Sequence, residues 1–222
     1  MAILTKTKIL ERVTKGEIVF KPNLDEFQIQ AHAIDMRLGY TFLIPKQWHL
    51  TDKGREALRI DHLDKNRKDY FEVIELEERQ FFELLPGEYV LASTLESVKV
   101  PDDLMAVLYP RSSTNRKGLS VDLTGIVDSG YEGQLVIPIR NNTNSQVVKL
   151  YPGERFCQIV FEALDEAVIA EKSRYHQKDI VEGFIMTKEN KQKRDSEEIS
   201  YVSEGRIREL KKEKSAHHGD KV

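Results

Sequence analysis

Arginine, serine, glycine and aspartate crowd into one stretch of the chain, between two apolar runs. It reads Pro110-Arg111-Ser112-Ser113-Thr114-Asn115-Arg116-Lys117-Gly118-Leu119, then Gly125-Ile126-Val127-Asp128-Ser129-Gly130-Tyr131-Glu132-Gly133. A guanidinium beside two hydroxyls and free backbone N–H groups offers a phosphate oxygen several charge-assisted hydrogen bonds. An aspartate followed by Ser-Gly falls in a turn, from which its carboxylate can project into a cleft and orient a water. The same string serves equally well as an ordinary turn with a capping aspartate and surface arginines. Spacing does not separate the two readings.

The elements that must position these residues are short. Apolar runs at Arg37 to Ile44, Tyr89 to Thr94, Leu104 to Tyr109, Gln134 to Arg140, Val147 to Tyr151 and Phe156 to Phe161 are broken by Pro, Gly, Asn and Asp. Many short strands at this spacing predict a mainly β roll or barrel rather than alternating βαβ units. A short N-terminal helix precedes them, with Thr5 placed to cap it, Ile9, Leu10 and Val13 on one face and Gly16 to close it. One turn device occurs twice, Leu85-Pro86-Gly87-Glu88 and Tyr151-Pro152-Gly153-Glu154, each just before an apolar strand. Pro followed by Gly suits the centre of a type II turn, so the two copies read as equivalent strand entries. Gln47 to Lys68 reads as a polar surface insertion. The boundaries this predicts are a catalytic domain over residues 1–187 and a charged, partly helical tail over 188–222, where Ile199, Val202, Ile207 and Leu210 line one side.

Composition removes several function classes. The 222 residues carry 34 Lys+Arg against 37 Asp+Glu, a formal charge of −3, which leaves no general field for a nucleic acid. A single cysteine, Cys157, excludes an internal disulfide framework and any multi-cysteine zinc site. It also excludes zinc-activated deamination, which needs a Pro-Cys-x-x-Cys pair. No apolar run approaches the ~20 residues that span a bilayer, and Met1 to Lys8 lacks the apolar stretch of a signal peptide. The expectation is a cytoplasmic protein with no membrane partner.

The ordered motifs resemble the trimeric dUTPase and dCTP deaminase superfamily. Arg111-Ser112-Ser113…Arg116…Gly118-Leu119 with Asp128…Gly130-Tyr131…Gly133 carries the likeness first. Ala33-Ile34-Asp35-Met36-Arg37-Leu38-Gly39 is similar to the first family motif, and Pro152-Gly153-Glu154-Arg155…Gln158 to the fourth. Leu85 to Glu96 and Pro101-Asp102-Asp103-Leu104 look like the deaminase branch. The likeness runs from the N-terminal helix to about residue 177.

The resemblance implies a dUTPase-like β-roll (a β-clip, or distorted barrel) that forms a homotrimer with active sites between subunits. Its substrate would be a deoxypyrimidine nucleoside triphosphate, with Mg²⁺ bound mainly through the phosphates. Asp128 would orient the water that attacks the α-phosphorus, and Tyr131 would lie under the deoxyribose and leave no room for a 2′-hydroxyl. Arg111, Ser112, Ser113, Arg116 and Gln158 would hold the triphosphate. Asp35 would act from behind the site, and residues between Gly118 and Asp128 would form a hairpin that reads the base. Arg174-Tyr175-His176-Gln177 is similar to the Tyr-x-x-Gln lid of the deaminase branch, placing Tyr175 and Gln177 over the nucleotide. The glycine-rich closing motif of dUTPases is absent.

In the deaminase branch a glutamate on the strand after the Asp-containing turn moves protons while water replaces the cytosine amine. That position here is Pro138, which can neither give nor take a proton. The sequence therefore points to a dUTP diphosphatase, with a dCTP deaminase or bifunctional enzyme as the alternative. A non-catalytic nucleotide-sensing or protein-binding relative is the third possibility.

Overall fold

Alternating burial along short apolar runs builds the centre of the protein. On the strand Leu104–Pro110, Leu104, Ala106 and Leu108 are buried; on Glu132–Asn141, so are Leu135, Ile137 and Ile139. A period of two puts each set on one face of a pleated strand, and burying that face against its neighbours is the main driving force. The computed structural model describes residues 2–58, 70–121, 125–168 and 193–215. Internal contacts divide the chain into two units, Met1–Gln47 with Phe71–Phe184, and Trp48–Tyr70 with Ile185–Val222.

The first unit holds β1 (Ala2–Ile3), α1 (Lys6–Thr14), β2 (Val19–Lys21) and β3 (Ile34–Pro45). After the insertion come β6 (Phe71–Glu75), β7 (Phe82–Leu84), β8 (Tyr89–Lys99), β9 (Leu104–Pro110) and α2 (Ser112–Arg116). The unit continues with β10 (Leu119–Val121), β11 (Ile126–Val127), β12 (Glu132–Asn141), β13 (Val148–Leu150) and β14 (Arg155–Ala163). The main sheet runs β10-β12-β8-β3-β14-β9-β11, with β1, β2 and β6 attached to β14, β8 and β3. Every pairing is antiparallel. The fold is mainly β, as the strand pattern predicts. Ile9 of α1 is fully buried and Val13 packs on the same core, but Thr5 makes no side-chain cap bond. Gly16 ends the helix at φ +72°.

The repeated Pro-Gly turn has a structural counterpart. Strands β7 and β13, which precede the two turns, pair with each other, Leu84 opposite Val148 and Phe82 opposite Leu150. Each turn then closes with the same bond, Glu88 N–H to Leu85 C=O and Glu154 N–H to Tyr151 C=O, both 3.0 Å. Gly87 (φ +75°) and Gly153 (φ +85°) supply the left-handed backbone that the turn demands.

Three ladders are irregular at one place. Strand β8 bulges where Gln134 and Val136 face Ser97 and Ser93, so Leu135 alone opposes Thr94, Leu95 and Glu96. β3 shifts register against β8 between Leu38 and Phe42, and β14 shifts against β3 between Arg155 and Cys157. Gly39 lies in that crossing. A Cβ there would meet the Ser93 hydroxyl at 2.3 Å and the Thr94 carbonyl at 2.9 Å. Bulges of this kind re-aim side chains, and here they turn Glu96 inward next to Asp35 and Arg37.

In the second unit, β4 (Trp48–Thr51) and β5 (Gly54–Ala57) form a hairpin on which the Arg55 guanidinium lies 4.4 Å from the Trp48 ring. Helices α3 (Lys193–Ser203) and α4 (Ile207–Ser215) are joined through the left-handed Gly205, and the Tyr201 hydroxyl donates to Glu213 at 2.6 Å. The charged tail is thus helical in part.

Candidate active site

Asp35 is the centre of the first group of predicted site residues. It sits on β3 with no solvent exposure, and two arginines converge on its Oδ2: Arg111 Nε and Arg155 Nη1, each at 3.2 Å. Gln158 Nε2 donates to Oδ1 at 2.8 Å, and Gln30 Nε2 to Oδ2 at 3.3 Å. The register explains the convergence. Gln158 on β14 faces Asp35 on one side and Tyr109 on the other, so the end of β9, where Arg111 follows Pro110, is one strand away. Arg111 Nη1 also donates to the Arg155 carbonyl at 3.0 Å, and Arg155 Nη1 to the Phe27 carbonyl at 2.5 Å. Both guanidinium groups stay partly exposed, so each can present its remaining N–H donors to an anion.

The residues after Arg111 form the single helical turn α2. Thr114 is buried and ties it to β14 by donating to the Phe156 carbonyl at 3.1 Å. Ser112, Ser113 and Arg116 are exposed on it. Lys117 pairs with Glu154 of the second Pro-Gly turn.

Behind Asp35 lies a second buried acid, Glu96, only 1% exposed. One of its oxygens accepts from Gln28 Nε2 at 2.8 Å and the other from the Arg37 backbone N–H at 2.9 Å. Gln28 Nε2 also donates to the Asp35 carbonyl at 2.9 Å. Burial raises the Glu96 pKa, and the hydrogen bonds from Arg37 and Gln28 offset only part of that rise. The neighbouring Cys157 thiol is pushed up too, by burial first and then by the charges of Glu96 and Asp35, so it stays protonated.

Asp128 and Tyr131 form a separate group. Asp128 is exposed just beyond β11, and its turn is fixed by the Tyr131 N–H donating to the Asp128 carbonyl at 3.2 Å and by buried Ser129 donating to Leu104 C=O at 2.7 Å. The Tyr131 ring packs on the main core and its hydroxyl donates to Gln134 C=O at 2.6 Å, which fixes the plane of the ring. Val127 faces Ala106, three rungs from the Tyr109 level of Asp35, and β11 is three strands from β3 in the sheet order. At about 3.3 Å per rung and 4.8 Å per strand, the two groups lie roughly 17 Å apart measured along the sheet of one chain.

Other predicted positions fall differently. Pro138 is on β12 opposite Leu91, on the face where Val136 packs with Leu43 and Leu91, a mainly apolar surround. The expected base-reading hairpin is not formed by β10 and β11 pairing together. β10 pairs with β12 and β11 with β9, because Val121 and Val127 are drawn into the same core from different strands. Tyr175 and Gln177 lie outside the described residues. Among the described residues, no three His, Cys, Asp or Glu side chains are grouped to hold a metal, and no helix is long and apolar enough to cross a membrane. Sequence reasoning passed over Arg155, Arg37 and Glu96, although all three stand inside the quoted motifs. For Gln28 the sequence carries no signal, since its role comes from the turn that packs it under Glu96.

The chain belongs to the dCTP deaminase-like family, whose profile matches residues 3–164. It is 41% identical over 169 residues to a "dCTP deaminase, dUMP-forming" of Methanobrevibacter smithii, covering 74% of this chain and 81% of that one. It is 42% identical over 161 residues to a protein of the same name from Dictyoglomus thermophilum, covering 72% and 79%. Among solved structures, a 2′-deoxycytidine 5′-triphosphate deaminase from Agrobacterium tumefaciens shares the fold at a TM-score of 0.55 and 24% identity. That match covers 73% of this chain and 48% of the other, so this chain spans about half the length of the solved one.

These relatives correct the expectation of a dUTP diphosphatase. That expectation rested on one position, Pro138, while relatives alike over 169 residues are named for deamination with dUMP as product. A route from dCTP to dUMP must also remove pyrophosphate. The roles that the resemblance implies for Asp128, Arg111 and Ser112 would therefore serve in either case and do not single out the hydrolase.

Proposed function

We propose that this protein is a dCTP deaminase of the dUMP-forming kind. Water replaces the 4-amino group of cytosine and releases ammonia, and a second water attacks the α-phosphorus and releases pyrophosphate, leaving dUMP. The observation that carries this reading is the 41% identity, across most of both chains, to a relative named for that conversion. For the hydrolytic step, Asp128 holds the attacking water by accepting its proton-bearing edge, and the fixed Tyr131 ring supports the sugar. Arg111, Ser112, Ser113, Arg116 and Arg155 take the triphosphate, and Gln158 steadies Asp35 between the two guanidinium groups. Positioning and charge stabilisation supply most of what phosphoryl transfer needs from a protein. Magnesium bound through the substrate's phosphates would neutralise part of their charge. Among the described residues, no three His, Cys, Asp or Glu side chains are grouped to hold it.

The roughly 17 Å along the sheet between Asp128 and the Asp35 cluster favours sites shared between copies, Asp128 and Tyr131 of one chain facing the arginines of the next. Exposed apolar residues on the same strands, Tyr109 (48%) and Ile126 (63%), give such copies a surface to bury. A homotrimer is the assembly we propose.

Deamination needs a proton carrier that Pro138 cannot be, so the test must score the two steps apart. Full-length protein is incubated with Mg²⁺ and dCTP, and ammonia, pyrophosphate and dUMP are measured. Equal ammonia and pyrophosphate with dUMP as product is the expected result. Pyrophosphate without ammonia, ammonia with accumulating dUTP, or binding without turnover would each overturn the assignment.

A further inference from the structure

The buried pair Glu96 and Gln28 takes no part in the chemistry above, yet it is built into the ground beneath the anion site. β3 presents three consecutive residues there. Asp35 holds Arg111 and Arg155, while Arg37 donates from Nη1 to the Gly153 carbonyl at 2.6 Å, in the turn from which Arg155 emerges. The Arg37 guanidinium also pairs with Asp25 at 2.7 Å. Two bonds fix that strip at both ends: Gln28 Nε2 on the Asp35 carbonyl, and Glu96 on the Arg37 N–H. The two fixing groups are themselves joined at 2.8 Å. Gln28 cannot rotate its amide, because its Oε1 accepts from the Asp25 N–H at 3.1 Å. Regular rungs to Gln158 and Cys157 hold Asp35 and Met36 on the β14 side, but β14 shifts register beside Arg37 and the pairing of β3 with β8 begins only at Leu38, so the other edge of the strip has no rung.

We propose that Glu96 and Gln28 are positioning residues for the anion site: by fixing the Asp35–Arg37 strip they set where the guanidinium groups of Arg111 and Arg155 point. The proposal rests on the reading of those arginines as triphosphate ligands. Glu96→Gln keeps the shape but turns one acceptor into a donor. That donor then faces either Gln28 Nε2 or the Arg37 N–H, so one bond of the pair is lost and the strip shifts. Gln28→Met removes the other fixing bond and leaves the carboxylate in place.

The test measures affinity for inorganic tripolyphosphate by calorimetry, together with KM and kcat for dCTP from pyrophosphate release, on the full-length chain. Each variant is expected to bind tripolyphosphate about tenfold more weakly, the equivalent of one misaligned charge-assisted hydrogen bond. KM rises in step while kcat changes little. The double variant is no worse than Glu96→Gln alone, since both act on one strip. Ile139→Val, a core change away from the strip, serves as the control: it lowers stability without moving the affinity. Unchanged tripolyphosphate affinity in folded Glu96→Gln or Gln28→Met, or an equal loss in Ile139→Val, would overturn the proposal. If Glu96→Gln does not fold, Gln28→Met decides. Tripolyphosphate affinity that falls in the variants while dCTP is not turned over by the wild type would leave the positioning role standing and remove the assigned reaction instead.

Discussion

Two inactive variants of this protein should repair each other. If a site joins Asp128 of one chain to Arg111 of the next, Asp128→Asn spoils a site from one side and Arg111→Gln from the other. Neither change should unfold the chain. Asp128 is exposed, and Asp35 keeps Arg155 and Gln158 when Arg111 is gone. Each variant alone is expected to release pyrophosphate at least about a hundredfold more slowly, the usual effect of deleting one group that stabilises a reacting phosphate or its water. In an assembly formed from equal amounts of the two, a given site is intact when its Asp128 comes from an Arg111→Gln chain and its arginine from an Asp128→Asn chain. Each condition holds half the time, so about one site in four is whole, whatever the size of the cyclic ring. Purifying differently tagged, co-expressed variants through both tags discards the unmixed rings, about a quarter of trimers, so the mixed trimers should regain roughly a third of wild-type pyrophosphate release. A mixed assembly no more active than its parts would refute the division of the site, and with it the use made of the roughly 17 Å along the sheet between the two groups.

Three further changes test the frame around the site. Asp35→Asn leaves two guanidinium groups against a neutral amide; breaking a buried pair of this kind is strongly destabilising. Because both arginines keep some water, a loss of about 2–3 kcal/mol is expected, seen as a fall in Tm of roughly 5–10 °C at fixed protein concentration. An unchanged melt would count against the cluster. Gly39→Ala drives a methyl into Ser93 Oγ at 2.3 Å and two backbone carbonyls at 2.9 and 3.0 Å, which should cost about 2 kcal/mol in a denaturant titration. Ser93→Gly relieves part of that loss, and no relief would mean that the crossing is looser than described. Arg12 holds Asp103 through two bonds of 2.9 and 2.6 Å and lowers its pKa below the ordinary 3.8. The stability from a lowered carboxyl is present above its unfolded pKa and lost as pH falls through its folded one. Asp103→Asn should thus be about 0.5–1 kcal/mol less stable than wild type at neutral pH, a modest figure because both groups are partly solvated. The difference should close only below pH 3.8, and a gap that persists there would refute the pairing.

Much of the fold was legible because it depends on local patterns. Short apolar runs bounded by turn residues located β9, β12 and β14, and the two Pro-Gly turns marked strand entries that prove to be joined through β7 and β13. The motif residues Asp35, Arg111 and Gln158 meet because β14 lies between β3 and β9, and nothing local in the sequence states that order. The Glu96–Gln28 contact spans 68 positions and arises from a bulge, a place where one strand departs from the alternation that sequence reading relies on. The splitting of β10 and β11 between different partners escaped notice for a similar reason. A short segment flanked by glycines looks like a hairpin until competition for core positions decides it.

The position that misled the functional reading was also a local one. Pro138 removes a carboxylate from one strand, and from that the loss of a whole reaction seemed to follow. But a proton carrier is defined by reach to the substrate, not by its place along a strand. A site assembled from two ends of two chains draws its groups from more than one strand. The family profile covers residues 3–164, which take in β3, β8, β9, β11 and β14. The groups proposed to bind phosphate and orient water would serve any reaction that ends in dUMP. Pro138 therefore bears on how the amine leaves, and ammonia release is the measurement on which it can be judged.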